Sequence, residues 1–411
     1  MRGLALCATL QGMAASAQDL AGHGGPVGAL AIRDGQVLSG GFDTRSILWD
    51  LDTGAARQIQ HFHEGNVTAV AFLPGGMLAT GGQDGRIALW QGAVERPTFA
   101  TPDTNAPIVA LSLAPDDATL AAGFGDGRIA RMSLDDHSVQ DHQAHQGQLT
   151  GLAYLPDGHL ASVGDDLRLS IWDRASQLAA RAGLAARPNG LAVTEGRLAV
   201  VFADGALRLY AADGSQLPQR FLTDRPLVAV AAGTGAVAAA AIDGTVWVLE
   251  DQDLSERFTV SAGADPVWAL ALDRDTLLGA GNDGTIRRWS ARDGERQGQS
   301  ATQASGDHDD GSRGARVWRA CAVCHSLSPG DNSRAGPTLH GVLGRRIASA
   351  PGYAYSQALR SMDIVWTRET VSALFEHGPE VYTPGSRMPD QRISDPRDRA
   401  ALIDFLERAS R

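Results

Sequence analysis

The chain has no lysine: all 36 of its basic side chains are arginine. It has only three cysteines, Cys7, Cys321 and Cys324. No apolar run reaches the roughly 18–20 residues that span a bilayer, so no transmembrane segment is expected. A structural zinc site needs a second cluster of cysteine or histidine at ligand spacing, and none exists. The scarcity extends to charge of one sign. Gln18–Ser312 carries 21 arginines against 37 acids, a net of −16, whereas Arg313–Arg411 carries 14 against 10, a net of +4; with Arg2 these sum to the chain's −11. An acidic field of that size repels phosphate, so no nucleic-acid partner is expected.

At the start, Arg2, the apolar stretch Gly3–Leu10 and Ala15-Ser16-Ala17 have the layout of a secretory signal peptide over residues 1–17. Its removal would take Cys7 with it and implies a periplasmic location.

Glycine is plentiful, at 48 residues, and it recurs in a pattern. An aspartate turn followed six positions later by a large apolar residue appears seven times, at Asp43/Trp49, Asp84/Trp90, Asp126/Met132, Asp166/Trp172, Asp204/Tyr210, Asp243/Leu249 and Asp283/Trp289. The steps between aspartates are 41, 42, 40, 38, 39 and 40 residues. Each unit opens with an alternating small/apolar run such as PVGALAI or NVTAVAF, the period of a buried strand, and Asp-Gly pairs mark tight hairpins. With Gly22-His23, Trp49-Asp50 and Trp172-Asp173, this pattern resembles the WD40 repeat family. The resemblance implies a seven-bladed, all-β propeller over residues 18–302. It also implies a buried hydrogen-bond chain in the three units with a full His, Ser/Thr, Asp, Trp set: His23, Ser39, Asp43, Trp49; His63, Thr80, Asp84, Trp90; and His145, Ser162, Asp166, Trp172. These histidines are accordingly read as structural rather than as a metal site, and the four incomplete units are expected to be held less firmly. Two closures of the ring are open, by Gln18–Ala21 or by the segment SARDGERQGQSA after Trp289.

Residues 303–314 are polar and rich in Gly, Ser and Asp, the composition of a linker. Beyond them the periodicity turns helical. VWRACAVCH ends a short helix, Thr367 is placed to cap another, and Leu402, Ile403, Phe405 and Leu406 share a face of a third. These helices are too few to fill a core alone, and a large planar cofactor would complete it. CAVCH supplies the rest of that argument. Two thiols and an adjacent histidine are what covalent haem attachment requires, and the flanks lack the βαβ pattern of a disulfide oxidoreductase. Cys321 and Cys324 would form the thioethers and His325 the proximal ligand, with Met362 and Met388 available on the other side.

The strings CAVCH, AGPTLHGVLGRR, PGYAYSQAL, DIVWTRETV, VYTPGSRMP and DRAALIDFLERA, in this order, resemble class I cytochrome c, an all-α domain expected here over residues 315–411. The resemblance implies one covalently attached haem c with His325 and Met388 as axial ligands, and leaves Met362 in the core. It implies that the Pro337 carbonyl orients His325, that Arg345, Tyr355 and Trp366 meet the haem propionates, and that Leu402 and Phe405 pack on the first helix. His340 is expected to be a structural hydrogen-bonder. Leu374 or Phe375 stands where the family often has a tyrosine near the methionine, and its docking lysines are absent. The expectation is a periplasmic mono-haem electron carrier, with the propeller docking a redox protein. Alternatives are an oxidoreductase whose propeller holds its own active site and passes electrons to the haem, and a propeller-based assembly scaffold.

Overall fold

The computed structural model describes residues 18–263, 265–298, 310–322, 325–330, 336–351, 353, 355, 357–384, 386, 388 and 392–410. The expected leader lies outside them, as do residues 303–309 of the expected linker. Residues 20–290 form seven four-stranded antiparallel sheets. Their innermost strands are Val27–Arg33, Val67–Phe72, Ile108–Leu113, Leu149–Tyr154, Pro188–Thr194, Leu227–Gly233 and Val267–Leu272. Each packs beside the next, and the last beside the first, so the sheets close into a seven-bladed β-propeller.

The alternation seen in the sequence becomes packing between neighbouring blades. Ile47 and Trp49 of the first blade are buried against Leu278, Ala280 and Ile286 of the seventh. Small residues near the axis let inner strands approach: a Cβ on Gly151 would lie 2.6 Å from the Leu191 Cβ of the next blade. In every blade the inner strand carries a register shift at its start, as between Val27 and Ala29 or Val67 and Ala69. Such a bulge adds twist where the chain enters the sheet.

The hairpin turns follow from the Asp-Gly chemistry. The turn aspartate accepts from the N–H two residues on, at 3.1 Å for Asp126, Asp204, Asp243 and Asp283. The residue between is left-handed, with φ of 71°, 86°, 81°, 84° and 72° at Gly85, Gly127, Gly205, Gly244 and Gly284. The first and fourth blades put Thr44 (φ 66°) and Leu167 (φ 58°) at this place.

Closure uses the N-terminal residues. Leu20–Ala21 is the outer strand of the seventh blade, pairing Leu20 with Ile286 and Ala21 with Thr285. The segment after Trp289 contributes as well: Arg296 bridges to Trp289 and pairs with Asp19 at 2.5 Å, whose side chain is fully buried.

Beyond the propeller the described residues include helices Arg313–Ala322, Gln357–Arg360, Arg368–His377, Pro379–Tyr382 and Pro396–Ala409. Thr367 caps Arg368–His377 in a reciprocal box with Thr370, and Asp395 caps the terminal helix through the Arg397 N–H. The first and terminal helices cross at Gly314, where a Cβ would lie 2.1 Å from the Ala401 carbonyl oxygen. Trp318 and Phe405 meet beside this crossing, ring centroids 6.0 Å apart, and Leu402 is fully buried with them. The segment is less helical than the all-α expectation. From Ser326 to Pro351 the described residues run through turns, because Gly341 and Gly344 take φ of 61° and 88° and Pro337 and Pro351 interrupt any helix.

Candidate functional site

The helix Arg313–Ala322 ends at the CAVCH string. The His325 N–H donates to the Cys321 carbonyl at 2.9 Å, which ties the histidine to the end of this helix. Cys321 is buried in a core with Trp318, Leu327, Val371, Leu374 and Phe375. Cys324 lies outside the described residues.

The Pro337 carbonyl helps to orient His325. Its Nδ1 lies 2.8 Å from the Pro337 carbonyl oxygen. A carbonyl only accepts, so Nδ1 carries the proton and the ring's lone pair is left on Nε2, the nitrogen available to a metal. Met388 and Trp366 pack, half-buried, against the same core as Cys321. The Met388 N–H donates to Ser386 Oγ at 3.1 Å. Met362 follows the helix Gln357–Arg360, and its N–H donates to the Leu359 carbonyl.

Arg345 sits between these elements. Its guanidinium donates at 2.8 Å to the carbonyls of both His340 and Thr338. Its backbone carbonyl accepts the Trp366 N–H at 2.9 Å. Burial lowers the Arg345 pKa from the usual arginine value, opposed by the nearby Tyr355. Burial likewise raises the Tyr355 phenol, whose oxygen accepts the Ala350 N–H at 3.3 Å. Among the described residues no carboxylate lies within ion-pair distance of Arg345.

These groups fit a haem. A buried thiol, an imidazole presenting Nε2, a thioether on the same core and a half-buried guanidinium without a carboxylate match its vinyl groups, iron and propionates. The expectations for Cys321, His325, Pro337, Arg345, Trp366 and Met388 therefore fall on one core and the loop packed over it. Sequence reasoning missed Thr338, which is 3% exposed and hydrogen-bonded to both flanking segments. Its only signal was its place in AGPTLHG, directly after Pro337. His340 is tied in through its backbone, its N–H donating to Thr338 Oγ1 at 3.2 Å.

In the propeller the three full sets form the expected chains. Trp172 Nε1 donates to Ser162 Oγ at 2.9 Å, Ser162 Oγ lies 2.8 Å from His145 Nε2, and His145 Nδ1 lies 2.9 Å from Asp166. The His63 and His23 sets repeat this geometry. In three of the four units where the set is missing, the turn aspartate hydrogen-bonds an arginine: Asp204 holds Arg208 through two bonds of 2.6 and 3.2 Å, Asp283 holds Arg287, and Asp126 holds Arg128.

Comparison with known proteins agrees with both parts. The family described as WD domain, G-beta repeat matches residues 56–91 and 137–173, which run into the second and fourth blades. A cytochrome c from Cochliobolus lunatus is 36% identical over 106 residues, 26% of this chain and 97% of that one. The chain belongs to the cytochrome c family. A cytochrome c from Arabidopsis thaliana is 38% identical over 99 residues, 24% of this chain and 88% of its own. Cytochrome c2 from Blastochloris viridis is 33% identical over 107 residues, 26% and 84% of the two chains. The likeness to cytochrome c thus concerns about a quarter of the chain, and WD40 repeats build the larger part. The computationally designed Ika8 protein shares the fold of that larger part, with a TM-score of 0.54 at 20% identity over 66% of this chain and 99% of that one.

Proposed function

We propose that this protein is a periplasmic mono-haem c-type cytochrome that passes single electrons, with its propeller docking a redox partner. The observation that carries this reading is the His325 Nδ1 contact to the Pro337 carbonyl, which leaves Nε2 as the ring's donor atom, next in the chain to a core that buries Cys321 and against which Met388 packs half-buried. A bound haem supplies a one-electron iron couple and two vinyl groups for thioether bonds. Cys321 and Cys324 would anchor it, and His325 and Met388 would supply the nitrogen and sulfur donors to its iron. Arg345, Tyr355 and Trp366 balance the propionates in a site that is otherwise apolar. Residues 18–312, net −16 against +4 for the segment after them, would draw a basic partner to the propeller side of the chain.

The alkaline pyridine spectrum of the purified protein will give one haem per chain, and none covalently bound in the double variant Cys321→Ser/Cys324→Ser, while Cys321→Ser alone will show the shifted band of a haem held by one thioether. The oxidised protein will show the weak far-red methionine-to-iron band, and Met388→Leu will abolish it. Haem reduction by a small-molecule substrate with the protein alone would overturn the carrier reading in favour of an oxidoreductase.

A further inference from the structure

Thr338 is 3% exposed, and its hydroxyl and carbonyl join three parts of the haem-bearing segment. Oγ1 donates to the Ser328 carbonyl at 2.7 Å and lies 3.4 Å from that of Ser326, the residues that follow His325. The same oxygen accepts the His340 N–H, and the Thr338 carbonyl accepts Arg345 Nη2 at 2.8 Å. The neighbouring Leu339 N–H donates to the Ser326 carbonyl at 2.8 Å. The segment bearing the Pro337 carbonyl is therefore fastened to the chain just after His325 by this buried hydroxyl together with the Leu339 N–H.

We propose that Thr338 is the positioning residue for the His325 ring, acting through the Pro337 carbonyl. The hydroxyl sets how far that carbonyl stands from Nδ1, and with it the strength of the bond it accepts. A strong Nδ1–H bond gives the ring more imidazolate character and makes Nε2 a better donor, which favours ferric over ferrous iron. Loosening the loop weakens the bond and favours the ferrous form. This inference rests on the haem reading above.

The test is made on the full-length protein carrying its haem. Thr338→Val removes the hydroxyl at nearly constant volume, leaves the Ser328 carbonyl without its donor, and touches neither ligand. Exchange of the His325 Nδ1 proton with solvent, followed by NMR, should quicken about five- to tenfold, the size expected for loss of one buried hydrogen bond. The midpoint potential should rise, and Thr338→Ser should restore both readings. Wild-type exchange rate and potential in Thr338→Val would overturn the inference while leaving the haem reading intact. Absence of covalent haem from the wild type would instead overturn the reading beneath it. Should Thr338→Val fail to mature, Thr338→Ala carries the same expectation with a smaller shift, and no shift there overturns the inference equally.

Discussion

At the scale of residues, backbone geometry and proton bookkeeping make two predictions. Leu167 holds a left-handed φ where five units use glycine, and its side chain is largely exposed. A side chain in that conformation costs roughly 1–2 kcal/mol, and glycine returns part of the gain through its greater chain entropy. Leu167→Gly should stabilise the propeller by about 0.5–1 kcal/mol, measured as a raised denaturation midpoint. The second prediction concerns the buried chain Trp172, Ser162, His145, Asp166. Indole only donates, so the Ser162 proton goes to His145 Nε2, and Nδ1–H serves Asp166. Charging His145 would set two donors against one hydroxyl. Burial accordingly holds His145 and His63 below the ordinary histidine value of 6.5, despite their aspartates. Burial would raise Asp166, but the His145 bond and the Gln146 N–H outweigh it and hold the carboxyl below 3.8. Unfolding frees the histidines to take up protons, so stability is flat above about pH 6.5 and falls as pH drops toward their folded values. Asp166 adds a second loss further into acid. Thermal melts across pH 4–8 should show this direction, and a midpoint unchanged from pH 8 to 5 would refute it.

Among the elements, the telling contact is the crossing of the first and terminal helices. Gly314 allows it, since any Cβ there meets the Ala401 carbonyl and the Phe405 Cβ. Gly314→Ala should destabilise the helical segment by roughly 1–3 kcal/mol, the usual size for overpacking. Calorimetry should show its transition lowered and that of the propeller unmoved. The elements themselves were largely legible. Strand alternation, the Asp-Gly turns, the Thr367 cap and the Leu402/Phe405 face each depend on residues within a few positions of one another. The turn-rich run from Ser326 to Pro351 was not, because its path follows from hydrogen bonds such as Leu339 to Ser326 that join residues far apart in the chain. Arg208 was missed for a similar reason. Its pairing with Asp204 and its stacking 4.4 Å over Phe202 replace the histidine set in a way no repeat signature marks.

For the whole molecule, ring closure is the decisive contact, since it joins residues that begin and end the propeller. Asp19 is buried against Arg296, and Leu20 is sealed beneath the first blade's Leu51 and Trp49. Asp19→Ala removes the ion pair at this seam and should lower propeller stability by about 1–3 kcal/mol, with the loss read from urea unfolding. The seven repeats, the three histidine sets and the haem-type donor string are all written in local spacing, and so could be read without the fold. Tertiary structure alone decided which strand closes the ring, that arginine replaces histidine in three blades, and that Thr338 fastens the loop over His325. Those depend on which distant groups are left buried together, and a buried polar group takes whatever partner the packing brings within reach.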